Sequence, residues 1–328
     1  MLFRPGPAAA IRTPREIASR YPGDSARYIG RKKRYAGCGG VVWLSADRLF
    51  TLNLLGNTLG AYAFDPDSPS LRLVDQPPLE GLCFPENLEL SPDRKLLAIS
   101  NSRDGSLGFY RVDAARGLVE PRPLLSYRSG SDRNVHGVCF SRTRNRVYVS
   151  TVDSPGCFRV LEWAMTADGG LEVREIQKLE NALAPLKPKG ISVSREDRFL
   201  AIAYGANASA KRRRARGQLE VRGLNEDGSI QSSPLSVLTD GAKLGCAEDV
   251  AFFPDDRDLL VTDQDRNRVA VVGFDPESGQ LGEVKSWLGN PRARLRFPHG
   301  CAVSPDGRYF AVANYGSDAV TIYATGTR

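Results

Sequence analysis

The chain has 328 residues, of which 41% are hydrophobic and 25% charged, with a formal charge of +7 and a pI of about 9.1. No apolar run approaches the roughly 20 residues that a membrane-spanning helix needs, and no secretion-signal pattern opens the sequence. We therefore expect a globular, cytoplasmic protein. The six cysteines form no CxxC pair, so they predict buried thiols rather than a disulfide or metal framework.

Residues 1–26 are rich in Ala, Pro and Arg and precede the regular part of the sequence. Pro5, Pro7 and Pro14 interrupt any long amphipathic helix, so we predict an N-terminal arm. A short segment, RYIGRKKRY at residues 27–35, follows the arm. Residues 27–328 are predicted to form a single domain.

From residue 39 onward the sequence repeats itself, with copies beginning at residues 39, 85, 135, 188, 247 and 298. The last copy, PHGCAVSPDGRYFAVANYGSDAVTIYA, contains three short apolar runs separated by turn residues, as consecutive antiparallel strands do. In most copies a polar turn and a further apolar segment add a fourth strand. Four strands repeated every 45–60 residues or so are typical of a propeller blade.

The last copy lacks a fourth strand because the chain ends at Arg328. We predict that residues 27–35 supply this strand and close the ring, which would leave no open sheet edge. The predicted fold is therefore an all-β, six-bladed β-propeller of four-stranded antiparallel blades.

One repeat position stands out when the copies are aligned on the SPDG hairpin. Both histidines of the chain fall at this position, and their placement there by chance is improbable. Because the position begins the innermost strand, its side chains are predicted to point into the central channel. From the first copy to the last it holds Gly40, Glu86, His136, Lys189, Glu248 and His299.

The ends of the second strands return to the same face of the disc and add a polar surround. Glutamates and histidines each fall in opposite blades, which gives the ring an approximate two-fold character. We predict an acid–base set of His136, His299, Glu86 and Glu248. The predicted substrate-binding residues are Lys189, Asn87, Asn101, Tyr204, Asp249, Asp263, Asn314, Arg133 and Arg296. An alternative remains open, in which the histidines only tie neighbouring blades together through hydrogen bonds.

Basic residues concentrate in the connections on this face, including RKKR at residues 31–34 and KRRRAR at residues 211–216. They are interpreted as solvated loop charge, as a nuclear-targeting or nucleic-acid patch, or as an electropositive funnel that gathers a small anion. The KRRRAR segment lacks the interleaved aromatic residues that stack on bases, which disfavours the nucleic-acid interpretation.

The segments PHGCAVSPDGRYFAVANYGSDAVTIY and GFDPESGQL resemble the YVTN-type propellers of the lactonase family, which includes bacterial 6-phosphogluconolactonase-like proteins and fungal carboxymuconate cyclases. The resemblance covers about residues 38–324, and His136 and His299 match the family's His-Gly motif. It implies a site at the channel mouth that hydrolyses or cyclises a small carboxylated or phosphorylated lactone or its open acid. Family members usually have seven blades, so a seven-bladed ring is the alternative to six.

A six-bladed ring is closer to gluconolactonase and strictosidine-synthase-like propellers, in which a glutamate and Asn or Asp residues hold a divalent cation on the axis. Here Glu86, Asn101, Asp263 and Asn314 would hold a cation such as Ca²⁺; otherwise we expect no cofactor and no metal. No GxSxG, HExxH or phosphate-loop motif is present. Two functions remain: a lactone hydrolase or cyclase (isomerase), or a non-catalytic scaffold that holds an acidic protein or nucleic acid on its basic face. Neither involves a membrane.

Overall fold

The computed structural model describes residues 37–325, apart from residues 69, 75, 131–132, 154–155, 183–185, 206–216, 240–243 and 290–294. Across these residues the chain forms six antiparallel sheets that follow one another in sequence. The first strand of each sheet contacts the first strands of both neighbouring sheets, and the first and sixth sheets also meet. The protein is therefore a six-bladed β-propeller, as predicted, rather than a seven-bladed one.

The strands are numbered in chain order. Blade one contains β1 (Cys38–Ser45), β2 (Arg48–Asn53), β3 (Thr58–Asp65) and β4 (Ser70–Val74), and blade two contains β5 (Pro85–Leu90), β6 (Leu96–Asn101), β7 (Ser106–Asp113) and β8 (Leu118–Arg128). Blade three contains β9 (Val135–Phe140), β10 (Arg146–Thr151), β11 (Cys157–Met165) and β12 (Leu171–Glu180), and blade four β13 (Lys187–Val193), β14 (Phe199–Gly205), β15 (Gln218–Leu224) and β16 (Ile230–Leu238). Blade five contains β17 (Ala247–Phe252), β18 (Asp258–Asp263), β19 (Arg268–Phe274) and β20 (Leu281–Leu288), and blade six β21 (Pro298–Val303), β22 (Tyr309–Asn314) and β23 (Ala319–Ala324).

Blade six has three strands in the part of the chain that the structure describes. The predicted closing strand, residues 27–35, and the predicted N-terminal arm, residues 1–26, both lie outside that part. The basic segment at residues 211–216 also lies outside it. Ring closure by the N-terminal segment therefore stays a prediction.

The hydrophobic core is divided among the seams between blades. Each of six apolar clusters is formed by the facing sides of two neighbouring sheets. Inner strands are buried on both faces, whereas an outer strand such as β12 alternates exposed and half-buried residues. Burial thus decreases from the axis to the rim, as short apolar inner strands and alternating outer strands predict.

Each first strand carries a bulge near its start. In β5 the pairing with β6 shifts between Pro85 and Leu88, and β17 and β21 shift at the same point. A bulge places two residues opposite one and re-aims side chains locally. As a result both the ring residue and the residue after it, such as Glu86 and Asn87, face the channel.

Blade one departs from the predicted register. Cys38 pairs with Asn53 and Val41 with Thr51, so Gly39 rather than Gly40 occupies the ring position. The reason is a second irregularity in β1, between Trp43 and Ser45, which adds a residue that alignment on the hairpin does not detect. A Cβ atom at Gly39 would lie 1.8 Å from Leu54 Cδ1, because the Leu54 side chain fills that space. Gly40 instead corresponds to the glycines that follow the ring residue in blades three, four and six: Gly137, Gly190 and Gly300.

Hydroxyl straps join blades at three seams, where a Ser or Thr near the end of a second strand donates to a ring carbonyl of the next blade. The Ser100 hydroxyl donates to the His136 carbonyl at 2.5 Å, and the Thr262 hydroxyl donates to the His299 carbonyl at 2.8 Å. Ser150 donates in the same way to the carbonyl of Lys189. Each hydroxyl also accepts a backbone N–H from its own blade, so the straps fix the backbone that carries the ring side chains.

Candidate active site on the propeller axis

Five ring side chains meet on the axis and are called the axial cluster here: Glu86, His136, Lys189, Glu248 and His299. His136 Nε2 lies 3.0 Å from Glu248 Oε1 and 3.8 Å from Glu86 Oε2. His299 Nε2 lies 3.3 and 3.4 Å from the same two oxygens. The imidazole rings stack, with centroids 5.6 Å apart and planes 18° apart. The histidines thus lie side by side between carboxylates from opposite blades.

Both glutamates of the cluster are held as carboxylates. Burial opposes ionisation of Glu248, but the Lys189 ammonium, 2.5 Å from Oε2, and the two imidazoles hold its pKa well below the usual range. Burial also opposes ionisation of Glu86, yet the hydrogen bond from His299 and the nearby imidazole of His136 lower its pKa. The cluster therefore contains two negative charges that the remaining members must balance.

Lys189 and His299 supply the balancing positive charge. Burial disfavours the ammonium of Lys189, but the neighbouring Glu248 carboxylate raises its pKa above the usual value. Burial also disfavours the imidazolium of His299, but Glu248 and Glu86 together raise its pKa. With Lys189 charged and His299 protonated, two positive charges offset the two carboxylates.

His136 differs from His299 in its hydrogen bonds. A carboxylate can only accept, so in neutral His136 the hydrogen is on Nε2 and is donated to Glu248 Oε1. Nδ1 is then the nitrogen with the lone pair, and it is buried with no hydrogen-bond partner among the described residues. Glu248 therefore selects the tautomer in which Nδ1 is an unused base.

The axial cluster is nearly enclosed, because its side chains are between 1% and 11% exposed. Next to it, Asn87 Nδ2 and Asp249 Oδ1 approach to 3.4 Å from opposite blades. The Cys301 amide donates to the other oxygen of Asp249 at 2.9 Å. These contacts span the channel and separate the axial cluster from the rest of it.

Beyond the Asn87–Asp249 contact lies a cavity of about 690 Å³, called the channel cavity here. It is lined by the first strands and by the hairpins that follow them, so it opens on the hairpin face. This is the face opposite the one on which the first strands begin. Asn87 and Asp249 belong to its lining, but none of the axial cluster does. The sequence pattern did not predict this cavity, although the three arginines that line it from the hairpins could have indicated it.

Asp249 is expected to make stability depend on pH. Burial raises its pKa to about 7, so the folded protein retains a proton that the unfolded chain releases near pH 4. Stability from this group is therefore present at low pH and is lost as pH rises from about 4 to about 7. Asp249→Asn should be more stable than the parent at pH 7.5 by roughly 1–3 kcal/mol and similar at pH 4. Urea unfolding at several pH values checks this, and a difference that does not change with pH would contradict it.

The polar residues at the second-strand ends lie outside the axial cluster. Asn101, Asp263 and Asn314 accept backbone N–H groups of the connection that leads into their own blade, at 2.9, 2.9 and 3.1 Å. The Tyr204 hydroxyl contacts Glu220 Oε1 at 3.3 Å within the sheet of blade four. The structure thus places these four predicted substrate-binding residues in supporting positions.

Arg133 and Arg296 are exposed and precede β9 and β21, on the face where the first strands begin. Their backbone amides donate to Asp153 and Asn314, at 2.8 and 3.1 Å. They lie on the surface around the axis, outside the axial cluster.

The residues considered for Ca²⁺ do not fit that ion. Of the four, only Glu86 lies in the axial cluster; the others accept loop amides, and the second oxygen of Asp263 accepts from Arg268 Nε. The donor atoms that do lie together, within 4.8 Å of one another, belong to Glu86, His136 and His299. Ca²⁺ prefers six to eight oxygens, whereas imidazole nitrogens suit Zn²⁺ and similar ions.

No family model matches the chain, and neither does any curated protein sequence. Solved structures do resemble it. A candidate 6-phosphogluconolactonase from Bacteroides uniformis superposes with a TM-score of 0.58 at 15% identity, over 87% of this chain and 80% of that one. The periplasmic gluconolactonase of Pseudomonas aeruginosa gives 0.51 at 17% identity, over 88% of each chain. A chain of the nidogen–laminin complex gives 0.53 at 14% identity, over 88% and 86%.

These similarities show the propeller fold alone, because proteins of different function share it. The described part of the chain contains no helix with the length and hydropathy needed to cross a bilayer.

Proposed function

We propose that this propeller is a lactonase-like enzyme that opens a small anionic lactone at the axial cluster, or forms the lactone from its open acid. The observation that supports this most directly is the free Nδ1 of His136, whose ring is oriented by Glu248 through Nε2. Lactone opening requires a base that activates water and a positive group near the developing oxyanion. The axial cluster contains candidates for both.

The two histidines are assigned different roles because their surroundings differ. His136 Nδ1 takes a proton from the attacking water, whose oxygen bonds to the lactone carbonyl carbon. The bond from that carbon to the ring oxygen then breaks, and protonated His299 gives its proton to the leaving oxygen. Lys189 stabilises the oxyanion or the substrate's own anionic group.

The nature of the axial cluster favours an enzyme over a scaffold. Ionisable side chains are rarely buried unless they are paired or used, and this cluster includes a buried imidazole nitrogen without a partner in the described part of the chain. The scaffold alternative depends mainly on the basic segment at residues 211–216, which lies outside the described residues. Two of the three similar solved structures named above carry lactonase names, which agrees with the proposed reaction class.

The proposed reaction is expected to need no divalent cation. Lys189 and protonated His299 already balance Glu86 and Glu248, so a bound cation would add uncompensated charge to a buried site. Turnover should stay within twofold after dialysis against EDTA, and Zn²⁺ should inhibit by competing for the histidines. Activity that is lost with EDTA and restored by Zn²⁺ would contradict this expectation.

The proposed function is tested by following acid release from a panel of aldonolactones, with and without a phosphate group. Turnover by the parent protein that His136→Gln loses would support the proposal. Tight binding to heparin or short DNA, with steep salt dependence and no response to substitution of both histidines, would instead support the scaffold.

A further inference from the structure

The channel cavity is rich in arginine at its open end. Arg94, Arg142 and Arg195 line it from the hairpins of blades two, three and four, together with the carboxylates of Glu89 and Asp256. Arg142 lies 3.4 Å from Glu89, and Asp256 accepts the backbone amide of Arg195 at 2.7 Å. Three guanidinium groups against two carboxylates leave this end positive.

Arg94 is one of these cations without a carboxylate partner in the described structure. Its guanidinium donates to the Trp43 carbonyl at 3.4 Å, and no carboxylate lies within ion-pair distance of it in the part of the chain described. Burial lowers the pKa of Arg94; the nearby Glu89 carboxylate opposes this, and the charge of Arg142 adds to it. An anion placed between Arg94 and Arg142 would relieve this repulsion and use donors that the protein leaves free.

The backbone of Arg94 is also strained. Its φ is 59°, at a hairpin position where blade six has Gly307 with φ 69°. Two other residues at this position, Asp197 and Asp256, also have positive φ, but their carboxylates bind backbone amides in the turn of the preceding blade. Arg94 has no comparable set of hydrogen bonds in the described structure. Backbone strain that no such bonds compensate is typical of functional sites.

The deep end of the cavity, opposite the arginines, is lined by an amide and a carboxyl group and has no cationic side chain among the described residues. Asn87 and Asp249 form it, and a carboxyl group there would repel a second acid but would accept a hydroxyl hydrogen. Along β5 and the first residue after it, the cavity lining runs from Asn87 to Ser91, about 13 Å at roughly 3.3 Å per residue. The volume of about 690 Å³ is within the range of small-molecule sites.

We propose that the channel cavity binds the phosphate monoester of a linear polyol, with the phosphate on Arg94 and Arg142 and the far hydroxyls on Asn87 and Asp249. The site is formed by different residues from the axial cluster and does not rest on the proposed function.

Calorimetric titration with sorbitol 6-phosphate, sorbitol and inorganic phosphate tests this site. The parent should bind sorbitol 6-phosphate at one saturable site, more tightly than either fragment. Arg94→Gly should weaken binding about 10- to 100-fold, because it removes charge-assisted hydrogen bonds to phosphate. Its melting temperature should not fall, since glycine adopts the positive φ without strain. The matched control is Arg308→Ala, on the same face but outside the cavity lining, which should change affinity less than twofold.

Asp249→Ala should weaken sorbitol 6-phosphate about tenfold and leave inorganic phosphate within twofold, because it removes only a hydroxyl partner. His136→Gln should leave both affinities unchanged, so failure of this proposal and failure of the proposed function are distinguishable. No saturable binding below 10 mM, an order of magnitude above the usual range for metabolite sites, would overturn the proposal. So would equal losses in Arg94→Gly and Arg308→Ala.

Discussion

Replacing His136 with glutamine is expected to reduce turnover of a lactone substrate by about 10²- to 10⁴-fold, the usual contribution of a general base. Glutamine places an amide N–H where His136 Nε2 donates to Glu248, but it has no counterpart of the basic Nδ1. The substitution therefore removes the proposed base while keeping the hydrogen bond that orients it. Turnover is measured on whichever lactone the parent hydrolyses fastest.

The matched variant is His299→Gln, in which the proposed acid is removed from between the same two carboxylates. We expect a smaller loss than in His136→Gln, because Lys189 still provides positive charge for the oxyanion. Circular dichroism and thermal melting verify that both variants are folded. Full turnover in both variants would mean that the histidines only connect blades through hydrogen bonds and that catalysis takes place elsewhere.

Truncating Glu248 to alanine is expected to lower the free energy of unfolding by about 3–5 kcal/mol, as removal of one partner from a buried charge pair usually does. Glu248 is buried and contacts Lys189, His136 and His299. Without it, the Lys189 ammonium and the imidazolium of His299 would face a single carboxylate in a desolvated site. Urea denaturation measures the change.

The double variant Glu248→Met with Lys189→Met is the informative comparison. Replacing both partners by apolar groups of similar size is often close to neutral, because no uncompensated buried charge remains. We therefore expect the double variant to be more stable than Glu248→Ala. A loss below about 1 kcal/mol in Glu248→Ala would mean that solvent reaches the axial cluster and screens its charges.

The propeller and its ring position could be predicted from the sequence because both follow from repetition. Six copies of one strand–turn pattern specify six blades, and the copy spacing places Glu86 and Glu248 in opposite blades, as it does His136 and His299. That these four residues face one another in pairs across the axis follows from their place in opposite blades of a six-bladed ring. Their catalytic role stays a prediction.

What the sequence could not show depends on local backbone geometry. The bulge in each first strand leaves no residue signature, so the aiming of Asn87 and Asp249 into the channel cavity was not foreseeable. A second bulge in β1 shifted the ring position from Gly40 to Gly39. The sequence pattern predicts Asn101, Asp263 and Asn314 in the site because they share its face, but short side chains at strand ends bind the nearest loop amides first.

The hydroxyl straps are unevenly distributed around the ring, and this bears on how the protein opens. They bridge blades two to three, three to four and five to six, whereas the residues at the corresponding position of blades one, four and six are Leu52, Ala203 and Ala313. By these straps alone the ring divides into three joined blades, two joined blades and a single blade. Sub-global openings in native-state hydrogen exchange follow the least reinforced contacts. Amides of blades two, three and four should consequently exchange as one cooperative unit, later than those of blade one, so a propeller whose blades share one strand pattern would still open in a defined order.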